Sequence, residues 1–166
     1  MKKLISYLVL FLAGLLIGSE VSGQSNKIPP FQMMQADGKV FKAQYLPLGK
    51  PIVIVYFSPD CEECQKLTKE LLEQIEELKN VSIAMITYQS VEMVVQYVAK
   101  NNLGKYPNIY VGTEGSSLFV RNYYDIMLFP FMTLYNKNGD LIAKYTSKQV
   151  NVDDLLVRIK KLLNQS

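Results

Sequence analysis

The chain has 166 residues, the length of a single domain, and 18 Lys+Arg against 15 Asp+Glu give it a formal net charge of +3. This balance excludes the strongly basic or acidic surface of a nucleic-acid-binding protein. Histidine is absent, which excludes histidine-based acid–base catalysis, Cys–His nucleophile pairs and most transition-metal sites.

Residues 1–23 have the pattern of a secretory signal peptide, in which two lysines precede an uncharged apolar run and small residues follow it. The run is shorter than the roughly 20 apolar residues that cross a membrane, so we predict cleavage after Gly23. An uncleaved membrane anchor is the alternative. No cysteine lies near this position, which excludes a lipoprotein anchor. We expect an exported protein, periplasmic in a Gram-negative bacterium, without membrane attachment after cleavage.

The remaining chain is predicted to hold a flexible lead-in over 24–30 and one domain over 31–166. In chain order, the predicted elements are strands 31–36, 40–44 and 52–57, helix 62–79, strand 81–87, helix 91–101, strand 109–111, helix 116–124, strands 131–135 and 141–145, and helix 152–163. A β-α-β unit followed by a hairpin and a closing helix predicts an α/β fold, with a central mixed β-sheet flanked by helices on both faces.

The helix predicted over 62–79 is amphipathic. Its apolar residues recur at spacings of three and four and form one stripe: Cys64, Leu67, Leu71, Ile75 and Leu78. The stripe turns Cys64 toward the core. Cys61 precedes the helix and is expected to stay accessible.

The only two cysteines form a Cys-x-x-Cys motif, Cys61 to Cys64, between a buried strand and this helix. The positive end of a helix stabilises a thiolate, which favours thiol–disulfide exchange. A structural disulfide is the alternative, but closing so short a loop contributes only about 2 kcal/mol. Zinc requires four ligands, and the sequence has no second cysteine pair. We therefore predict that Cys61 attacks, Cys64 resolves, and no metal or other cofactor is needed.

Glu62 and Glu63 lie between the cysteines, and two interpretations stay open. Their carboxylates disfavour a thiolate at Cys61 and so tune its redox chemistry. Acidic residues also favour a helix N-terminus, and both glutamates fit that role equally well.

The string Lys50-Pro51-Ile52-Val53-Ile54-Val55-Tyr56-Phe57-Ser58-Pro59-Asp60-Cys61-Glu62-Glu63-Cys64 resembles the active-site region of thioredoxin-like proteins. A second string, from Tyr124 through Phe129-Pro130 to Asn138-Gly139-Asp140, resembles their proline–strand–turn segment. With the export signal and the extra N-terminal strands, the chain is most similar to the extracytoplasmic TlpA/ResA-like group.

This resemblance implies a thioredoxin-like fold and an exported thiol–disulfide oxidoreductase. It also implies that Pro130 follows a cis peptide bond beside the cysteines and that the Phe129 backbone binds the substrate. The partners it implies are protein disulfides or dithiols and an upstream electron donor, and we expect a monomer.

The sequence departs from the family at three positions. Asp60 replaces the tryptophan that most relatives have before the first cysteine, and Val55 occupies the position of the buried acid of thioredoxin. No proton acceptor for Cys64 can therefore be named from the sequence. Phe129 is bulkier than the residue usual before the proline.

Two other functions stay open. Ser58-x-x-Cys61 is similar to the motif of peroxiredoxins, but the upstream proline of a peroxiredoxin-like thiol peroxidase is missing. Arg121, one of two arginines, is expected at the surface rather than as the peroxidase's partner. A non-catalytic binding module with the thioredoxin fold is the other alternative.

Overall fold

The structure is a computed structural model that describes residues 26–164. The signal peptide predicted over 1–23, with its cleavage position Gly23, lies outside the described residues.

Within residues 26–164, seven strands form one mixed sheet in the order β2-β1-β5-β4-β3-β6-β7. Their bounds are β1 Gln32–Gln35, β2 Val40–Lys42, β3 Ile52–Tyr56, β4 Ser82–Thr87, β5 Ile109–Thr113, β6 Phe131–Tyr135 and β7 Leu141–Tyr145. The strands β3, β4 and β5 pair in parallel, and the other neighbours pair antiparallel. The predicted mixed sheet with extra N-terminal strands is confirmed.

The centre of the sheet is β3, whose five residues are all buried. Its neighbours β4 and β6 are buried along their whole length too. Uninterrupted β-branched and aromatic runs are typical of strands covered on both faces. The loop that follows β3 therefore begins at the carboxyl end of a buried inner strand.

In the described part of the chain, four α-helices cover the two faces: α1 Glu62–Glu73, α2 Val91–Lys100, α3 Phe119–Tyr123 and α4 Val152–Asn164. One core packs β3 side chains such as Val53 and Val55 against α1, α2 and α4. The second core packs Ile52, Ile54 and Tyr56 against α3 and the N-terminal hairpin. The alternation of side chains along β3 thus supplies both cores.

The helix α1 is shorter than predicted, since it ends at Glu73 and hydrogen-bonded turns follow it. The amides of Gln74 and Ile75 bond three residues back, which tightens the chain after the helix. Leu78 and Val81 are nevertheless fully buried. The apolar pattern therefore identifies the residues that face the core, but these residues lie on a helix and the turns after it rather than on one long helix.

The segment 26–30 also differs from the flexible lead-in that the sequence predicts. Leu141 N donates to the Asn26 carbonyl at 2.7 Å, and Lys27 forms a 2.5 Å ion pair with Asp140. This part of the chain is held against the β6–β7 turn because its backbone finds partners there.

Within residues 26–164, no helix is both long and apolar enough to cross a membrane.

Candidate active site

Cys61 is the N-cap residue of α1. Its Sγ accepts a hydrogen bond from the Cys64 amide at 3.3 Å, so the sulfur occupies the place of a capping oxygen. The partial positive charge of the helix terminus lies beside this sulfur. The exposed Glu62 and Glu63 occupy the first turn of the helix, where both predicted roles place them.

Cys64 is buried, with 1% of its surface exposed, whereas Cys61 is partly exposed. Burial, followed by the hydrogen bond with Cys61, raises the pKa of the Cys64 thiol well above its usual value. The buried Cys64 sulfur is therefore held protonated, while the Cys61 sulfur is accessible to solvent. The predicted division in accessibility between the cysteines is confirmed.

The loop before Cys61 is held by its own polar groups. The Cys61 amide donates to the Ser58 carbonyl at 3.1 Å, and the Ser58 hydroxyl donates to Asp60 Oδ1. Gln89, which follows β4, donates from Nε2 to Ser58 Oγ at 3.4 Å. Asp60 thus takes part in fixing the loop, and its negative charge adds slightly to the raised pKa of Cys64.

The Phe129–Pro130 peptide bond is cis, as the family resemblance implies. In the antiparallel pair of β3 and β6, Tyr56 lies opposite Phe131. β6 therefore begins at the end of the sheet where β3 finishes. Pro130, directly before β6, lies at the same end as the cysteine loop that follows β3. The structure brings Phe129 and Pro130 to the end of the sheet that carries the dithiol. Their role in substrate binding stays a prediction.

Phe129 lies among aromatic side chains from other parts of the chain. Its ring centroid is 5.8 Å from that of Tyr56 and 5.7 Å from that of Tyr88. These pairs fix the orientation of the ring beside Pro130. The bulky residue that the sequence places before the proline is thus part of an aromatic cluster.

Glu114 is a buried carboxylate that no signal in the sequence identifies. It accepts the Tyr56 hydroxyl at 2.6 Å and the Val120 amide of α3 at 2.7 Å. Burial and this hydrogen bond raise the pKa of Tyr56 well above its usual value. Glu114 fastens α3, and the segment leading to Pro130, to the end of β3.

Arg121 is half-buried, so part of its side chain remains at the surface as predicted. Its guanidinium carbon lies 5.5 Å from the centroid of the Tyr88 ring and 5.7 Å from that of Phe129. Its Nε donates to the Ile126 carbonyl at 3.3 Å, and no hydrogen bond joins it to Cys61. Arg121 therefore lies beside Phe129, the residue before Pro130, and its partners are aromatic rings rather than a sulfur.

No group of three or more histidine, cysteine or carboxylate side chains within residues 26–164 is arranged to hold a metal ion.

The sequence model of the thioredoxin-like domain matches residues 39–161. No curated protein has a sequence that matches this chain.

Several solved structures share the fold at low identity. A secreted disulfide oxidoreductase of Mycobacterium tuberculosis is 21% identical with a TM-score of 0.65, over 80% of this chain and 96% of that one. A thiol–disulfide oxidoreductase from Bacteroides fragilis is 17% identical with a TM-score of 0.66, over 82% and 98%. Copper-bound ScoI of Arabidopsis thaliana is 20% identical with a TM-score of 0.67, over 86% and 100%.

Proposed function

The chain belongs to the thioredoxin-like family, and from that membership we propose that it is an exported thiol–disulfide oxidoreductase acting on proteins through Cys61 and Cys64. One observation carries this proposal. An accessible sulfur caps the N-terminus of α1 and accepts the amide of Cys64, whose own thiol is buried and held protonated. Such a pair can attack a disulfide and then resolve the product.

The reaction begins at Cys61. Its thiolate attacks one sulfur of the substrate disulfide, and the other sulfur leaves with the bonding electron pair and takes a proton from water. A mixed disulfide then joins Cys61 to the substrate. The helix terminus favours the attacking thiolate because its partial positive charge lies beside the sulfur.

Cys64 completes the transfer. Its thiol releases its proton to solvent, and the resulting thiolate attacks the Cys61 sulfur, so that the substrate leaves as a second thiolate and takes a proton. The protein becomes the Cys61–Cys64 disulfide and has lost two electrons, which the substrate has gained. An upstream dithiol donor must return these electrons before the next cycle. Two carboxylates beside Cys61 favour this reducing direction.

Substrate is proposed to bind along Phe129 and Pro130. No residue in the described part of the chain accepts the Phe129 amide hydrogen or donates to its carbonyl. An extended peptide can pair with such a free backbone as an added strand. The cysteine of the bound peptide then lies at the end of the sheet that carries Cys61.

The cysteine variants test the proposal. We expect the purified protein, with an excess of a dithiol, to reduce a disulfide-bonded protein such as insulin. Cys61→Ser should abolish the activity, and Cys64→Ser should accumulate mixed disulfides in cells. Iodoacetamide should modify Cys61 before Cys64. Preferential modification of Cys64 would contradict the assignment of roles, and consumption of peroxide without disulfide reduction would favour a thiol peroxidase. Binding of partners with no thiol turnover would favour a non-catalytic module.

Export is the remaining part of the proposal, supported by the signal pattern of residues 1–23. We expect N-terminal sequencing of the exported protein to begin at Gln24. Retention of residues 1–20 in the mature protein would instead support an uncleaved anchor.

A further inference from the structure

The guanidinium of Arg121 is the charged group at the site that the exchange reaction does not use. It lies against the Tyr88 and Phe129 rings, which are themselves stacked at 5.7 Å. Among described residues, only the Ile126 carbonyl accepts a side-chain hydrogen bond from it, through Nε. The two terminal nitrogens are left without an acceptor from residues 26–164.

The buried carboxylate nearby forms no ion pair with the side chain of Arg121. Glu114 accepts the Tyr56 hydroxyl and the amides of Val120 and Arg121, and no nitrogen of the Arg121 side chain forms an ion pair with a described carboxylate. The guanidinium lies near two aromatic rings and keeps its two terminal nitrogens as donors. Such a pair of donors matches a carboxylate with two parallel hydrogen bonds.

The position of Arg121 places these donors beside the proposed path of the substrate. Phe129, on which it lies, precedes the cis Pro130. The side chains just before it, Met127 and Leu128, are 74% and 62% exposed and offer apolar contact. Asp60, Glu62 and Glu63 are exposed around the start of α1 and make it acidic. A substrate therefore meets an acidic side at the helix and a cationic, aromatic side at Arg121.

We propose that Arg121 binds a carboxylate of the substrate, so that the protein prefers disulfides whose cysteine is flanked by an acidic residue in an extended segment along Met127–Phe129. This inference rests on the proposed function, because it names the substrate class of the same site. The apolar side chains of the loop hold the segment, and the ion pair sets its register and direction. Arg121 is thus a specificity residue that contacts the substrate and takes no part in the exchange of sulfur bonds.

The test uses short peptides joined by a disulfide and identical except near the cysteine, where each position carries glutamate or glutamine in turn. For at least one position we expect the glutamate peptide to be reduced with roughly tenfold higher kcat/KM, mostly through a lower KM. The preference should shrink at high salt, since ion pairs at a protein surface are screened. This comparison within the wild-type protein needs no variant.

Three variants at the two arginines locate the effect. Arg121→Gln should remove the preference for glutamate, so that this variant reduces the glutamate and glutamine peptides with equal kcat/KM. Arg158→Gln is the matched control, because Arg158 pairs with Asp154 on α4, and it should keep the preference. Arg121→Glu should reverse the preference toward a peptide with lysine at the same position, which a purely structural role would not produce.

The outcomes separate this inference from the proposed function. Equal reduction of all peptides by the wild-type protein would overturn the role of Arg121 and leave the oxidoreductase standing. An equal loss of rate on every peptide in folded Arg121→Gln would also overturn it, because it would show a structural role alone. Failure to reduce any peptide or protein disulfide would overturn the proposed function itself.

Discussion

At the level of single residues, the two cysteines differ in what surrounds each sulfur. Cys61 caps a helix and is partly exposed, whereas Cys64 is packed in the core beside Leu67 and Phe57. One motif thus contains a nucleophile in contact with solvent and a thiol kept in reserve. The difference arises because Cys61 is the N-cap residue, outside the helix, whereas Cys64 is the first residue of the buried helical stripe.

The raised pKa of Cys64 predicts that the reduced protein loses stability as the pH rises into the alkaline range. Above the usual thiol value of 9.0, Cys64 loses its proton in the unfolded chain but keeps it in the folded one. The unfolded state then binds fewer protons than the folded state. Each further rise of one pH unit therefore lowers the free energy of unfolding by about 1.4 kcal/mol. Below pH 9 this contribution is fully present.

This effect is measured by urea unfolding of the reduced protein between pH 8 and about 10.5. Cys64→Ala is the control, since it removes the thiol but leaves the buried tyrosines, and its stability should fall less steeply. Parallel curves for the two proteins would contradict the assignment.

The carboxylates of Glu62 and Glu63 are predicted to lower the redox potential. They raise the free energy of a thiolate at Cys61 and so destabilise the reduced protein. The double variant Glu62→Gln with Glu63→Gln should have a higher potential, by about 30 mV for each 1.4 kcal/mol gained by the reduced form.

Equilibration with glutathione measures this potential. Glu76→Gln, an exposed carboxylate beyond the far end of α1, should leave it unchanged. An unchanged or lower potential in the double variant would show that both acids only favour the helix terminus.

At the level of elements, α4 closes the face of the sheet that also carries α1. Leu155 is fully buried in this core, while Val157 on the same helix is 67% exposed. Leu155→Ala should lower the free energy of unfolding by about 2–5 kcal/mol, because it removes buried methyl groups and leaves a cavity. Val157→Ala should change it by less than about 0.5 kcal/mol. Denaturant unfolding of both variants checks the difference, and equal losses would mean that α4 is not docked as described.

The elements also show where sequence patterns suffice. Strands β6 and β7 have the predicted bounds because apolar runs on each side of a turn define them locally. The end of α1 was wrong because the same apolar spacing continues through the turns at 74–80. Periodicity reports which side chains face the core, and it does not distinguish a helix from successive tight turns that bury the same residues.

In the molecule as a whole, Glu114 joins parts of the chain that are far apart in sequence. Glu114→Ala would leave the Tyr56 hydroxyl and the Val120 amide buried without partners. We expect a loss of about 1–3 kcal/mol for each group, and a smaller loss in Glu114→Gln, whose amide oxygen can still accept. Reaction of Cys61 with a small disulfide should be unchanged, because Glu114 does not contact either cysteine. Glu76→Ala is the control, and a stability equal to wild type in Glu114→Ala would contradict this role.

The chain's local patterns established the α/β class, the mixed sheet and the position of the dithiol. Strand runs, the amphipathic helix and Cys61-x-x-Cys64 are recorded in neighbouring residues, so no tertiary information was needed. The accessibility of Cys61 and the burial of Cys64 followed from the same helical stripe.

Folding decided which distant side chains surround that dithiol. Tyr88, Glu114 and Arg121 lie on separate segments, and nothing in their local sequence predicts that they meet Phe129 and Tyr56. Strand order and register bring them to one edge of the sheet, and burial then determines their hydrogen bonds. The local sequence around the cysteines is therefore enough to predict their chemistry. The cationic and aromatic surface beside them exists only after the strands have paired, because long-range pairing sets those neighbours.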